Sequence, residues 1–169
     1  MIRVPDFGED KYYLCMVTRK GVIKRTKLDE YRNIRKGGII AINLDEGDEL
    51  AWVKLTGGDD DIYVATRGGY GIRFHESDAR AIGRTARGVR AIELKSEDDE
   101  VVGMCALAKD ADETVRILTV SETGNGRRSE LSEYRCQTRG GKGSTNYKTD
   151  KNGKVVSVCL VSDSDDVIL

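Results

Sequence analysis

The sequence has little of the chemistry on which enzymes depend. It contains one histidine, His75, which stands beside Glu76 and has no cysteine or second histidine at ligand spacing. Neither histidine catalysis nor a metal site is therefore expected there. The nucleophile elbow, the phosphate-binding loop with its Lys-Ser/Thr pair and the dinucleotide fingerprint are also missing. We therefore predict a chain without a catalytic centre, a metal or a cofactor of its own.

Long apolar runs are missing as well. No stretch approaches the ~20 residues of a membrane span, and the N-terminus lacks the succession of a signal peptide, so a cytoplasmic protein without a membrane partner is expected. No segment keeps a 3.6-residue apolar period for about ten residues, which argues against a helical fold. The cysteines form no C-x-x-C pair, and all of them are interpreted as reduced core residues: Cys15, Cys105, Cys136 and Cys159.

What the sequence does contain is a repeat. A basic, glycine-containing loop occurs three times, and each copy follows an acid-x-Arg triplet that ends in Arg32, Arg80 or Arg135. Because each loop holds the same place in its unit, the chain is interpreted as a repeat protein. The loops are Arg35-Lys36-Gly37-Gly38, Arg84-Thr85-Ala86-Arg87-Gly88 and Arg139-Gly140-Gly141-Lys142-Gly143.

Short apolar runs surround each basic loop. The first unit has runs at Tyr12–Thr18, Val22–Thr26, Ile39–Leu44 and Leu50–Leu55, and the second has runs at Ile62–Thr66, Tyr70–Phe74, Val89–Leu94 and Val101–Leu107. Four short strands in a repeat of ~50 residues are typical of a propeller-like blade. The sequence predicts an all-β array of four-stranded antiparallel blades, near residues 12–58, 61–110 and 114–164. We also expect the chain to be a piece of a longer array.

Charge is segregated along each unit, although the formal net charge is only −1. The segment Arg19–Lys36 carries 8 basic and 2 acidic residues, whereas Asn43–Asp61 carries 1 basic and 7 acidic residues. If the units stack in register, the basic segments form one rim and the acidic segments lie on the other side. Clusters such as Asp59-Asp60-Asp61 are interpreted as soluble turns, because they lack the alternating ligand spacing of a calcium loop.

The basic rim is predicted to bind a polyanion through its backbone, without base specificity. Glycines allow a phosphodiester to approach the main chain closely, while arginine and lysine neutralise its charge. The charged side chains are expected to be exposed, and therefore to contribute little to folding. The candidate contacts are Arg32, Arg35, Lys36, Arg80, Arg84, Arg87, Arg90, Arg135, Arg139, Gly140, Gly141, Lys142 and Gly143.

These residues also carry a resemblance to a known family. The stretch Gln137–Gly143 is one substitution from the Q-R-R-G-G-K-G heptapeptide of the bacterial DNA gyrase A subunit, and the order of the units resembles the C-terminal domain of that subunit throughout. Two further stretches, Thr18–Thr26 and Gly83–Arg90, extend the resemblance over essentially the whole chain.

The resemblance implies a β-pinwheel whose positive edge wraps double-stranded DNA. It implies a non-catalytic part of an ATP-dependent type II topoisomerase, in which strand passage introduces negative supercoils. The implied partners are double-stranded DNA, the gyrase B subunit, and the remainder of the gyrase A subunit. ATP and Mg²⁺ would be used elsewhere in that assembly.

Two alternatives remain open from the sequence. In the family the heptapeptide lies in the first blade, whereas the best match here, Gln137–Gly143, lies in the third unit. The corresponding domain of the topoisomerase IV A subunit is therefore the nearest alternative. A propeller that docks proteins belongs to a different class, but it would not require basic charge in the same loop of every unit.

Overall fold

The computed structural model of the chain describes residues 2–4, 7, 11–111 and 113–167, and within these it is almost entirely β-structure. The all-β array of antiparallel blades is confirmed. Three 3₁₀ turns, Leu28–Tyr31, Glu76–Asp78 and Leu131–Glu133, and a one-turn α1 (Thr149–Asn152) are the helical elements of the described residues. The strands are β1 (Tyr13–Thr18), β2 (Val22–Lys27), β3 (Leu50–Thr56), β4 (Asp61–Thr66), β5 (Tyr70–His75), β6 (Val89–Arg90), β7 (Val101–Leu107), β8 (Arg116–Ser121), β9 (Gly126–Glu130), β10 (Ser144–Thr145) and β11 (Val155–Val161).

Each blade is built on a tight hairpin with a glycine at its turn. Gly21, Gly69 and Gly124 have φ angles of +83°, +84° and +80°, which residues with a Cβ rarely adopt. In the first blade the Gly21 N–H donates to the carbonyl of Thr18 at 3.1 Å, and the same bond recurs in the other two blades. The three turns are thus equivalent, as the repeat of glycines in the sequence predicts.

The outermost strand of a blade comes from the following unit. The first sheet has the order β3-β1-β2-β6, the second β10-β5-β4-β7, and the third β11-β8-β9. Strand β6 belongs to the second unit but pairs with β2 of the first, and β10 of the third unit pairs with β5 of the second. The sequence left open how adjacent blades exchange strands, and the structure shows that each of the first two blades receives its last strand from the following unit.

This exchange explains why two predicted strands are short or absent. Val89–Leu94 forms a strand only at Val89–Arg90, where it lies against β2. Ile39–Leu44 forms no strand, and Ile40 and Leu44 are 58% and 39% exposed. A strand forms only where a neighbouring strand pairs with its backbone, and none of the strands in the described residues pairs with 39–44.

The hydrophobic core lies between successive blades. Ile23 of the first blade packs in one cluster with Ile62, Ile72 and Phe74 of the second, all of them fully buried. A second cluster joins the second and third blades, and it includes the rings of Tyr63 and Tyr134, whose centroids lie 4.8 Å apart. Apolar burial between the blades therefore fixes how one unit sits on the next.

The cysteines divide into two pairs. Cys15 and Cys105 are buried, and burial raises the pKa of each thiol to about 12, so both remain protonated. Cys136 and Cys159 are exposed, so their assignment to the core was wrong. In β11 the buried positions are Val155, Val158 and Val161, and Cys159 falls between them on the exposed side.

Candidate nucleic-acid interface

The three basic loops occupy equivalent places in the array. We define them as loop 1 (32–44), loop 2 (79–94) and loop 3 (134–148). Each begins at the end of a 3₁₀ turn, and loops 2 and 3 return along the outer edge of the preceding blade as β6 and β10. The fold thereby places each loop at the boundary between two blades.

An arginine on the second strand of each hairpin holds the start of the next loop. The Arg25 guanidinium donates to the carbonyls of Glu76 and Ala79 at 3.1 and 3.4 Å. In the next blade Arg73 donates in the same way to Leu131 and Tyr134, at 3.0 and 3.4 Å. Both arginines lie four residues after the hairpin glycine, so the same arginine–carbonyl hydrogen bonds position the start of loops 2 and 3.

Arg25 also contacts a buried carboxylate. Glu76 is fully buried and lies 3.2 Å from Arg25 Nε. Its two oxygens accept hydrogen bonds from Thr56 Oγ1 at 2.7 Å and from the Asp60 N–H at 2.9 Å. Because both carboxylate oxygens accept hydrogen bonds and the Arg25 guanidinium lies beside them, the buried carboxylate is compensated at the boundary between the first two blades.

Loops 1 and 2 are joined directly by hydrogen bonds. Arg84 Nη1 donates to the carbonyl of Ile40 at 2.5 Å. Asn43 donates from its backbone N–H to Ala86 O at 3.3 Å and from Nδ2 to Thr85 O at 2.5 Å. The side chain of Arg84 therefore spans from its own loop to the loop before it.

Loops 2 and 3 are joined in the same order. Arg139 donates from Nη1 to Arg90 O and from Nε to Asp78 O, both at 2.9 Å. The Glu93 N–H donates to Gly141 O at 2.9 Å, and the Gly140 N–H donates to the carbonyl of Ala91 at 2.7 Å. All three loops therefore form one continuous row along the array.

The glycines of loop 3 allow its backbone to approach the neighbouring backbone closely. Gly140 and Gly143 have positive φ angles of +84° and +67°. A Cβ on Gly143 would lie 2.3 Å from the carbonyl oxygen of Gly71, whereas a Cβ on Gly141 would meet nothing within 4 Å. Gly143 therefore lets loop 3 lie against β5, and Gly141 is the glycine with open space around it.

The predicted contact residues fall into three groups. Arg84 and Arg139 are half-buried and bonded to backbone carbonyls, so the expectation that all these charges are freely exposed was wrong for them. Arg32, Arg87 and Lys142 are exposed but lie 2.7, 3.0 and 3.9 Å from Asp29, Asp45 and Glu93. The remaining charged residues have exposed side chains with no ion pair or hydrogen bond to the described residues: Arg35, Lys36, Arg80, Arg90 and Arg135.

Part of the acidic charge lies next to the rim. Asp45 opens the acidic segment of the first unit, yet it pairs with Arg87 of loop 2. Glu93 stands in the same relation to Lys142 of loop 3. The predicted separation of charge onto opposite sides is therefore incomplete, because each of loops 2 and 3 lies against the start of the acidic segment of the preceding unit.

Two buried tyrosines support loops 1 and 3 from below. Tyr31 and Tyr134 are 7% and 8% exposed. The Tyr31 hydroxyl donates to Ala41 O at 3.1 Å, and the Tyr134 hydroxyl donates to Asn146 Oδ1 at 2.5 Å. Neither ring is available for stacking on a base, which is consistent with contacts to the backbone of a nucleic acid.

Two other kinds of site are not found in the part of the chain that the structure describes. No group of three or more histidine, cysteine, aspartate or glutamate side chains there could hold a metal ion. No helix in that part has the length and apolar character needed to cross a membrane.

Comparison with known proteins identifies the repeat. The family model for the DNA gyrase C-terminal domain, beta-propeller, matches residues 12–56, 60–104 and 116–162. The chain belongs to this family. The DNA gyrase A subunit of Clostridium acetobutylicum is 49% identical over 170 residues, which cover 100% of this chain and 20% of the relative. The DNA gyrase A subunit of Haloquadratum walsbyi is 44% identical over 165 residues, covering 97% of this chain and 19% of the relative.

Two solved domain structures share the fold. The C-terminal domain of DNA topoisomerase IV superimposes with a TM-score of 0.86 and 26% identity, covering 96% of this chain and 50% of that one. The DNA gyrase A C-terminal domain superimposes with a TM-score of 0.80 and 29% identity, covering 95% and 52%. The chain thus spans about a fifth of its gyrase A relatives and about half of these solved domains.

Two residues that shape the interface were missed from the sequence. Asn43 lies at the start of an acidic segment, and Lys24 lies inside a strand, so neither belongs to a basic glycine loop. Lys24 had a signal that could have been found. It lies three residues after the hairpin glycine, where the second unit has the apolar Ile72, so a cation there stands at a core position.

Proposed function

We propose that the chain is a non-catalytic module of the DNA gyrase A subunit that binds double-stranded DNA and wraps it along the row of loops 1 to 3. The observation that carries this proposal is the direct hydrogen bonding between successive loops, Arg84 to Ile40 and Arg139 to Arg90. Because the loops touch, the cations of three units form one continuous surface, and a continuous positive surface suits a continuous phosphate backbone.

The chemistry of the rim favours contacts with phosphate over contacts with bases. The cations that have no partner among the described residues are arginine and lysine side chains on loops, and the supporting tyrosines are buried. Arginine and lysine neutralise phosphates without reading the sequence. Binding is therefore expected on any duplex, with an affinity that depends strongly on salt.

In the longer protein this binding would support negative supercoiling by an ATP-dependent type II topoisomerase. Strand cleavage and ATP hydrolysis, with their ATP and Mg²⁺, would lie outside this chain, in the gyrase B subunit or in the rest of the gyrase A subunit. The compartment would be the cytoplasm. Similarity of fold to the topoisomerase IV domain makes the corresponding role in that enzyme the second candidate. The relatives that match the whole chain and are named gyrase A favour the first.

The salt dependence of duplex binding tests the proposal. If the rim contacts ~4 to 6 phosphates, the logarithm of affinity should fall with the logarithm of salt concentration with a slope of about −4 to −5. Removing two unpaired cations with Arg35→Ala plus Lys36→Ala should reduce the slope by up to about 2 and leave the free energy of unfolding nearly unchanged.

A matched control removes two cations at the opposite edge of the blades. Lys54 lies on β3 and Lys109 follows β7, and each of these strands is at the end of its sheet remote from the exchanged strand. Lys54→Ala plus Lys109→Ala should leave the slope unchanged. Binding that ignores salt, or binding to one short sequence only, would contradict the proposal.

Wrapping requires its own measurement. Closed circular DNA can be relaxed with a separate topoisomerase while the chain is bound, and its linking number determined after the protein is removed. A shifted distribution of linking numbers is expected if the DNA wraps along the row of loops. Tight binding with no shift would leave the chain as a DNA-binding module that does not wrap.

A further inference from the structure

Lys24 is a buried cation beneath the rim. It lies in the middle of β2 and is 1% exposed. Its Nζ donates to the carbonyl of Ala41 in loop 1 at 2.7 Å and to the carbonyl of Arg84 in loop 2. It forms no ion pair with a described carboxylate, so its nearest compensation comes from the two backbone carbonyls, with a weaker contribution from the Glu30 carboxylate. Burying an ammonium without a directly paired carboxylate opposes folding. The presence of a lysine at this buried position therefore needs an explanation.

The fold itself does not require a cation at this position. Three residues after the hairpin glycine, the second blade has Ile72, which is fully buried, and the third has Arg127, which is exposed and donates to Asn146 O at 3.1 Å. The second blade shows that an isoleucine fills the space beneath the loops without loss of the blade. Lys24 is thus specific to the boundary between loops 1 and 2.

We propose that Lys24 is a positioning residue that locks loop 1 to loop 2 and so fixes the spacing of the exposed cations on either side of it. An ammonium has three donors and no acceptor, and here two of the donors reach carbonyls from two different loops. The two loops are therefore held at the separation that one Nζ atom imposes. The effect on DNA rests on the proposed function, whereas the lock itself does not.

Hydrogen exchange tests without DNA whether Lys24 locks loop 1 to loop 2. The Asn43 N–H bonds to Ala86 O across the boundary of loops 1 and 2, and the Glu93 N–H bonds to Gly141 O across the boundary of loops 2 and 3. In Lys24→Ile, hydrogen exchange at the Asn43 amide should accelerate by about tenfold, because local opening costs less once the lock is lost. Exchange at Glu93 should stay as in the parent.

Binding of the whole chain to a mixed-sequence duplex gives the second readout. Lys24→Ile should weaken binding by about fivefold, a loss comparable to that of one hydrogen bond. The salt slope should change by much less than the ~0.9 expected when a direct phosphate contact is lost, because Lys24 lies beneath the surface. Lys24→Arg keeps a cationic donor and should restore the exchange rate at Asn43 in part. Lys54→Ala, which removes an exposed charge elsewhere, should change neither readout.

The outcomes separate the two proposals. Unchanged hydrogen exchange at the Asn43 amide in Lys24→Ile would overturn the lock. If Lys24→Ile fails to fold, the same result in Lys24→Met would overturn it. Faster exchange at Asn43 in a chain whose parent does not bind DNA would support the lock and contradict the proposed function. A fall in the salt slope by about 0.9 would identify Lys24 as a direct phosphate contact and overturn its positioning role.

Discussion

The two boundaries between successive basic loops are built on the same plan. At each, an arginine of the later loop donates to a carbonyl of the earlier one, from Arg84 to Ile40 and from Arg139 to Arg90. At each, a backbone N–H of the earlier loop also donates to a carbonyl of the later one. These contacts link the loops of successive units into one rim.

The boundaries differ in the additional hydrogen bonds that join the two loops. Between loops 1 and 2 the additional donors are side chains, Lys24 Nζ and Asn43 Nδ2. Between loops 2 and 3 a further bond is made by backbone, from the Gly140 N–H to Ala91 O, and the position of Lys24 is filled by Ile72. A rim of this kind can therefore be closed by polar side chains beneath the loops or by glycines that bring the backbones together. In loop 3 the glycines contribute to packing as well as to the candidate interface.

The largest expected effect comes from the glycines that allow backbone contact. Gly143→Val should lower the free energy of unfolding by about 3 kcal/mol or more, because its Cβ would clash with the Gly71 carbonyl and φ is positive there. Gly141→Val, in the same loop with open space and without positive φ, should cost less than about 1 kcal/mol. Urea denaturation of both variants measures the difference. Equal losses would mean that loop 3 is not held by close backbone contact.

The next effect is a pH dependence confined to the first boundary. Burial lowers the pKa of Lys24 from 10.5 to about 8, against the opposing influence of Glu30 and with a further lowering by Arg84. Between these two pH values the unfolded chain binds more protons than the folded chain, so the free energy of unfolding should rise with pH, by up to about 3 kcal/mol. Below pH ~8 the contribution should be constant.

Lys24→Ile provides the reference for this measurement, since it lacks the titrating group. The difference in unfolding free energy between the parent and Lys24→Ile, followed by urea denaturation across that pH range, isolates the contribution of Lys24 from that of other lysines and tyrosines. A difference that does not vary with pH would show that Lys24 titrates normally in the folded chain.

A smaller difference in unfolding free energy is expected between removing Arg139, which joins two loops, and removing Lys142, which is an exposed surface charge. Arg139→Ala removes two hydrogen bonds to backbone carbonyls and should cost about 1 to 2 kcal/mol of unfolding free energy. Lys142→Ala removes only an exposed ion pair at 3.9 Å and should cost nearly nothing. Thermal or urea unfolding of the two single variants tests this, and an Arg139→Ala variant as stable as Lys142→Ala would show that the boundary does not depend on the arginine.

Much of the blade could be predicted from the sequence, because its strands are local patterns. The apolar run Val101–Leu107 coincides with β7, and the strands on either side of Gly21 and Gly69 begin and end within one residue of the predicted runs. The hairpin glycines need positive φ wherever the turn occurs, so their spacing reports the repeat directly.

The errors concern interactions between units. A two-residue strand such as Val89–Arg90 has no periodicity of its own, and its partner is whichever edge lies beside it. The exposure of Cys159 depends on which face of β11 meets the neighbouring blade. The placement of Asp45 against Arg87 follows from the same exchange between units.

The sequence by itself determined the repeat, the hairpins, the family and the concentration of basic charge in one loop per unit, because each of these is encoded within a unit. Only the tertiary structure decided which cations are free. Arg84 and Arg139 bond to backbone, whereas the side chains of Arg80 and Arg135, from the same segments, have no hydrogen-bond partner among the described residues. The distinction arises because a side chain near a boundary between blades meets carbonyls that belong to another unit, and those contacts depend on packing between blades.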